Sequence, residues 1–252
     1  MTRTTNGARR RLHPLAASVI TAAVLALAGC SDETSSPTAA AGDTPPTMPA
    51  QAAPAAPASV APAPDGEVDV AALMSGQVLP DVVIGRPNAP ITIVEYASMT
   101  CDHCAAFHEK TYPSLKRDYL DTGKAKLIVR EFPFDPRAVA AFMLARCTPG
   151  ENGRTAMVDT LFYQSESWAH AENASEKLLA VAKMAGMTND TFKACLSDNE
   201  LQSKVVATKD RGENEFGVDS TPTFFIDGKK YRGALPPEQM AAILDLSKVS
   251  TN

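Results

Sequence analysis

Hydrophobic and polar positions divide the chain into recognisable periods from about residue 81 onward. Asp81-Val-Val-Ile-Gly-Arg-Pro-Asn-Ala-Pro90 is broken by Gly and Pro and leads into Ile91-Thr-Ile-Val-Glu-Tyr-Ala97. That run is apolar and rich in β-branched residues, so it predicts a core strand, with one carboxylate, Glu95, inside it. After Cys101, a stripe of Cys104, Phe107 or His108, Thr111, Leu115 and Tyr119 recurs at steps of three and four. The spacing predicts a helix, and Pro113 predicts a kink or a short first segment. Lys126-Leu-Ile-Val-Arg-Glu-Phe132 reads as a second strand, stopped by Pro133-Phe-Asp-Pro136.

From Arg137 to about Glu200 the pattern is helical throughout, with breaks at 148–153, 172–173 and 186–190 and a cap at Thr188 or Asn189. A longer helix follows, with Leu201, Val205, Thr208, Gly212 and Phe216 on one face. Ser220-Thr-Pro-Thr223 precedes the strand 224–226. Asp227-Gly228 is a hairpin turn into Lys229–Arg232, and a last helix runs from about Leu235 through Val249. The expected class is α/β, with a helical insertion at about 137–200.

The first 66 residues are different. Arg9-Arg10-Arg11 precedes an apolar stretch from Leu15 to Ala28, closed by Leu27-Ala-Gly-Cys30. This looks like a bacterial lipoprotein signal over 1–30, with Cys30 as the lipidation site. An ordinary secretory signal cut near Cys30 is the alternative, and the run is short for a retained membrane span. Residues 31–66 are Ala, Pro, Thr and Ser-rich without an aromatic residue, which predicts a disordered tether and places the folded domain at 67–252. The leader holds four arginines and no acidic residue, so the remainder is more acidic than the whole chain's net charge of −5. That balance argues against nucleic acid as a partner.

The chemistry centres on Cys101-Asp-His-Cys104, at the passage from strand to helix. Unpaired N–H groups and the helix dipole favour a thiolate there, and the thiolate is the form that attacks a disulfide. An exported chain would meet oxidising conditions in which disulfides persist. Setting Cys30 aside leaves Cys101, Cys104, Cys147 and Cys195, which allow three pairings. If Cys101 and Cys104 are the redox pair, Cys147 and Cys195 are either a structural disulfide or two free thiols. Ala105 after Cys104 rules out the attached-haem pattern. Cys101, Cys104 and His108 lack a fourth zinc ligand at sensible spacing, so no metal is expected.

Three stretches together carry a family resemblance: Glu95-Tyr96 six positions before Cys101, the Cys101–Cys104 motif, and Ser220-Thr-Pro-Thr-Phe-Phe-Ile-Asp-Gly228. Over about Asp81 to Val249 the chain resembles the DsbA-like thiol–disulfide oxidoreductases of the thioredoxin superfamily. The resemblance implies a thioredoxin fold with an inserted helical subdomain, and a second disulfide in the insertion is similar to some members. It implies Cys101 as nucleophile, Cys104 as buried resolving thiol, and Glu95 as a proton-shuttling acid beneath it. Pro222 is expected cis, with the Thr221 backbone receiving an extended client peptide.

His103 fits a thiolate-stabilising role. Asp102 stands where the family pattern has proline, and its charge opposes the thiolate, so a less oxidising protein is expected. Arg130 is the expected charge partner of Glu95, although Glu131 leaves the register open. The implied activity is oxidation of exported proteins in the cell envelope or periplasm by a monomer. It would be anchored by lipid, recycled by a membrane redox partner, and need no cofactor beyond its own dithiol. The alternatives are an envelope reductase or isomerase, and a non-catalytic, chaperone-like peptide-binding lipoprotein.

Overall fold

A computed structural model describes residues 60–250, with side chains to 247. The leader, Cys30 and most of the predicted tether lie outside the described residues. The elements run β1 (Gly66–Glu67), α1 (Val70–Met74), β2 (Val83–Gly85), β3 (Ile91–Ala97), α2 (Asp102–Lys110), α3 (Tyr112–Leu115) and a π-helical turn (Lys116–Leu120). Then come β4 (Ala125–Glu131), α4 (Pro136–Cys147), α5 (Glu151–Tyr163), α6 (Ser165–Trp168), α7 (Ala174–Met184) and α8 (Asn189–Leu196). The chain closes with α9 (Asn199–Phe216), β5 (Thr223–Ile226), β6 (Lys229–Arg232) and α10 (Pro237–Ser250).

The six strands form one sheet in the order β1-β6-β5-β3-β4-β2, in which only β3 and β4 are parallel. Parallel strands need a crossover, and α2, α3 and the π-helical turn provide it. β3 is covered on both faces. Ile91, Ile93 and Ala97 join the larger core with Cys104 and Phe107, while Val94 and Tyr96 join a smaller one with Phe132, Phe216 and Phe225. This explains why β3 reads as an almost continuous apolar run.

Capping fixes where the helices begin and end. Thr111 interrupts the helix predicted after Cys101, and Pro113 sits in the first turn of α3, where its missing N–H costs nothing. Asp135 caps α4 through the N–H groups of Arg137 and Ala138, Thr188 and Thr191 form a capping box on α8, and Asp198 caps α9. The helices α4 to α8 are the insertion. Cys147, the last residue of α4, is disulfide-bonded to Cys195 near the end of α8, 48 residues on. Closing a loop of that length stabilises the fold by about 4 kcal/mol in the chain-entropy treatment.

The tether boundary differs from the expectation. Residues 65–67 belong to the sheet edge: Gly66 and Glu67 pair with Lys230 and Lys229, the Asp65 N–H donates to Lys230 O, and Ala61 packs on the core. Composition misplaces this edge because strand addition uses backbone groups, which any residue except proline supplies in full.

Gly212 on α9 lies against the buried ring of Tyr96, where a Cβ atom would stand 2.7 Å from Cε1. The Tyr96 hydroxyl accepts from Arg130, so the ring is not free to move. Gly212→Ala is therefore expected to destabilise the protein by about 1–3 kcal/mol despite its better helix propensity. Urea unfolding would measure this, and a neutral or stabilising effect would contradict the packing described.

Candidate active site

The site begins with the turn between β3 and α2. Ser98-Met-Thr100 carries the chain off the strand, the Cys101 N–H donates to Ser98 O at 3.1 Å, and Cys101 O accepts from Ala105. Cys101 is thus the N-cap of α2, with no side-chain cap bond. Its sulfur faces the helix's first N–H groups. Cys104, one turn in, is fully buried, whereas Cys101 is partly exposed, and both are free thiols.

A loop distant in sequence completes the site. The Thr221–Pro222 peptide bond is cis, and Cys101 Sγ donates to Thr221 O at 3.3 Å. Register explains the approach: β5 lies antiparallel beside β3, pairing Thr223 with Tyr96, so the segment before β5 returns to the end of β3 where α2 starts.

The two thiols are driven apart electrostatically. Cys101 is lowered from about 9 to about 5, chiefly by the hydrogen bond from Cys104. The Thr221 side chain and the N–H groups of Cys104 and His103 add to this, against the cost of burial. Burial pushes Cys104 well up, helped by its bond to Cys101 and by the charge of Glu95. The bond from Cys101 to the Thr221 carbonyl exists only in the thiol form. On ionisation the buried Thr221 hydroxyl can donate to the sulfur beside Cys104 and the backbone N–H groups.

The other predicted residues are redistributed. His103 is exposed and contributes its backbone N–H. Asp102 is also exposed and meets His170 of the insertion, with 3.1 Å between Oδ1 and Nε2. Its carboxylate therefore has a hydrogen-bond partner that the sequence did not reveal.

Glu95 is fully buried, but Arg130 is not its partner. Glu95 aligns with Val129 and Tyr96 with Arg130, and alternation puts Arg130 on the Tyr96 face. There it bonds Asp81 (2.7 and 2.9 Å) and the Tyr96 hydroxyl (3.1 Å). Glu95 instead meets His108 Nε2, at 3.0 and 3.2 Å from its two oxygens. The clue was present: His108 follows Cys104 by four residues, on the same helix stripe. No group of three His, Cys, Asp or Glu side chains suited to a metal occurs among the described residues.

Comparison with known proteins agrees with this geometry. A family model described as thioredoxin matches residues 77–246. The structure of alpha-DsbA1 from Wolbachia pipientis is similar at 31% identity and a TM-score of 0.64, covering 69% of this chain and 96% of that one. A protein of Rickettsia conorii named as a candidate protein-disulfide oxidoreductase is 31% identical over 148 residues, 59% of this chain. The match spans only about half (53%) of that relative's length. BdbD from Bacillus subtilis, at 19% identity and a TM-score of 0.60, covers 66% of this chain and 92% of that one and shares the fold.

Thiolate absorbance of the reduced protein should titrate with a midpoint near 5, and Cys101→Ser should abolish that step. A midpoint near 9 would contradict the geometry. Because the shift is downward, its contribution to the stability of the reduced protein is lost progressively as pH falls from 9 to about 5. Cys104 stays protonated across that window.

Proposed function

This chain belongs to the thioredoxin family, in its DsbA-like branch, and on that premise we propose that it is a thiol–disulfide oxidoreductase that introduces disulfides into exported proteins. One observation carries the reading: a partly exposed Cys101 at the N-cap of α2, against the cis Thr221–Pro222 segment and one helical turn from a buried Cys104, an arrangement that lowers the Cys101 pKa. A thiol lowered in this way stabilises the reduced form, which makes the disulfide form an oxidant. Aspartate at 102, where the family pattern has proline, is the ground for expecting a milder oxidant than DsbA itself.

In the oxidising direction a client thiolate attacks Cys101 Sγ, the Cys101–Cys104 bond breaks, and Cys104 leaves and takes a proton. A second client thiolate then attacks the client sulfur of the mixed disulfide and releases Cys101 as a thiolate. In the Cys101–Cys104 disulfide and in the mixed disulfide alike, Cys101 carries no proton to donate to Thr221 O. That carbonyl is then available to an N–H of the client backbone, a strand-addition contact indifferent to client sequence.

Reduced exported proteins are the proposed clients, and a membrane redox partner would reoxidise the dithiol. The leader pattern supports a cell-envelope or periplasmic location with lipid on Cys30, and the Ala/Pro-rich stretch would give the domain reach from its anchor. Among the described residues no helix is long and apolar enough to cross a membrane.

The test is oxidation of a reduced, unfolded client with two cysteines. Cys101→Ser should abolish turnover. Cys104→Ser, mixed with a client that carries one activated disulfide, should accumulate a covalent complex through Cys101 that reductant releases. Client binding that survives in Cys101→Ser, with no disulfide formed by the wild type, would favour the peptide-binding alternative.

A further inference from the structure

The mechanism leaves one buried group unused. His108 Nε2 is committed to Glu95, whereas Nδ1, also buried, has no hydrogen-bond partner among the described residues. The ring cannot swing away to find one. It is stacked on Phe162 (centroids 3.9 Å apart, planes 9° from parallel) and meets Phe107 and Tyr112 on its other sides. Two more buried polar side chains stand close by, Tyr112 and Asp159, which interact with each other. These side chains line a cavity of about 330 Å³ together with Thr160, Tyr163 and Gln164, and Tyr163 is exposed, so the cavity reaches the surface.

A buried polar atom left without a partner is destabilising. His108 Nδ1, Tyr112 and Asp159 converge on one cavity large enough for several water molecules, and water entering there would give Nδ1 a partner. Resolution of a mixed disulfide requires Cys104 to lose a proton, and the oxidising step requires it to gain one. Cys104 and Glu95 are sealed from solvent. Their proton needs a route out.

We infer that His108 is a positioning residue that relays this proton between the Glu95 carboxylate and the cavity lined by Tyr112 and Asp159, using its two ring nitrogens in turn. The inference rests on the thiol–disulfide reading above and deepens it. In resolution, Cys104 Sγ–H gives its proton to Glu95, directly or through a water molecule. The Cys104 thiolate attacks Cys101 Sγ, the bond from Cys101 to the bound thiol breaks, and that thiol departs as a thiolate that solvent protonates. Glu95 passes its proton to His108 Nε2 as Nδ1 releases one to the cavity, and the oxidising direction reverses these transfers. The groups facing His108 are Glu95 from β3, Tyr112 from α3 and Asp159 from α5, with Cys104 one turn earlier on its own helix and Lys116 near Asp159.

The experiment uses protein carrying glutathione on Cys101 and follows glutathione release at several pH values. His108→Gln retains an amide that can reach Glu95 but has no second ring nitrogen to take the proton onward. It should slow release about tenfold at neutral pH, with a smaller deficit as pH rises. In His108→Ala, added imidazole should restore release in proportion to its neutral form, which a ring needed only for packing would not allow. Asp159→Asn, at the cavity wall, should slow release severalfold and change its pH profile. It decides the matter if neither His108 variant folds.

A folded His108→Gln that releases glutathione at the wild-type rate across this range would overturn the inference alone. So would a folded His108→Ala that is slow but insensitive to imidazole, or, where neither His108 variant folds, an Asp159→Asn profile like that of the wild type. Failure of the wild type itself to release glutathione would instead overturn the thiol–disulfide reading, and the inference with it.

Discussion

The contact of Cys101 Sγ with Thr221 O, 3.3 Å, joins residues 120 positions apart, and the rest of the site is arranged around it. Two independent local structures must meet for it to form. One is the β3–α2 turn, which places Cys101 at a helix N-cap; the other is the cis Thr221–Pro222 segment before β5. The antiparallel pairing of β3 with β5 brings them together, so the sheet register sets the chemistry. A one-residue slip would turn Glu95 to the opposite core and move Thr221 off the sulfur.

Around that contact the protein separates two chemically identical thiols. Cys101 has a hydrogen-bond donor in Cys104, backbone N–H groups and the Thr221 side chain, and it is partly open to a client. Cys104 has burial and a nearby carboxylate. The same hydrogen bond between them lowers one pKa and raises the other, so each thiol enforces the other's role. Separation has a consequence of its own: a buried group that must gain and lose a proton needs a buried acid–base partner. Glu95 and His108, in contact with each other on the core face that β3 turns toward α2, are the groups proposed for it.

Much of this was legible in the chain. Helix and strand periods, Asp227-Gly228 and the proline stops located the elements, because those signals depend on local sterics and on burial of one face. The Cys101–Cys104 and Thr-Pro motifs were legible because the residue types are themselves the chemistry. Pairing across space was not. Arg130 looked like the partner of Glu95 because both lie on predicted strands, but parallel register puts them on opposite faces, and His108 was masked by its place in a helical stripe. The meeting of His170 with Asp102 depends on how the insertion folds back over α2, which no local pattern encodes. Strand β1 escaped notice because an edge strand made of backbone bonds needs no apolar side chains.

The helical insertion is fastened by the Cys147–Cys195 disulfide and supplies Phe162, Asp159 and His170 to the neighbourhood of the dithiol. On the proposed reading its influence is on tuning and proton access as well as on covering the core. The central claim, that Cys101–Cys104 is a moderately oxidising redox couple, is tested most directly by equilibrating the protein with glutathione buffers and trapping thiols by alkylation. The expected result is a two-electron transition of Cys101 and Cys104 between the values for thioredoxin, about −270 mV, and DsbA, about −120 mV, with Cys147–Cys195 oxidised throughout. A midpoint at or below the thioredoxin value, or a pair that does not titrate, would contradict it.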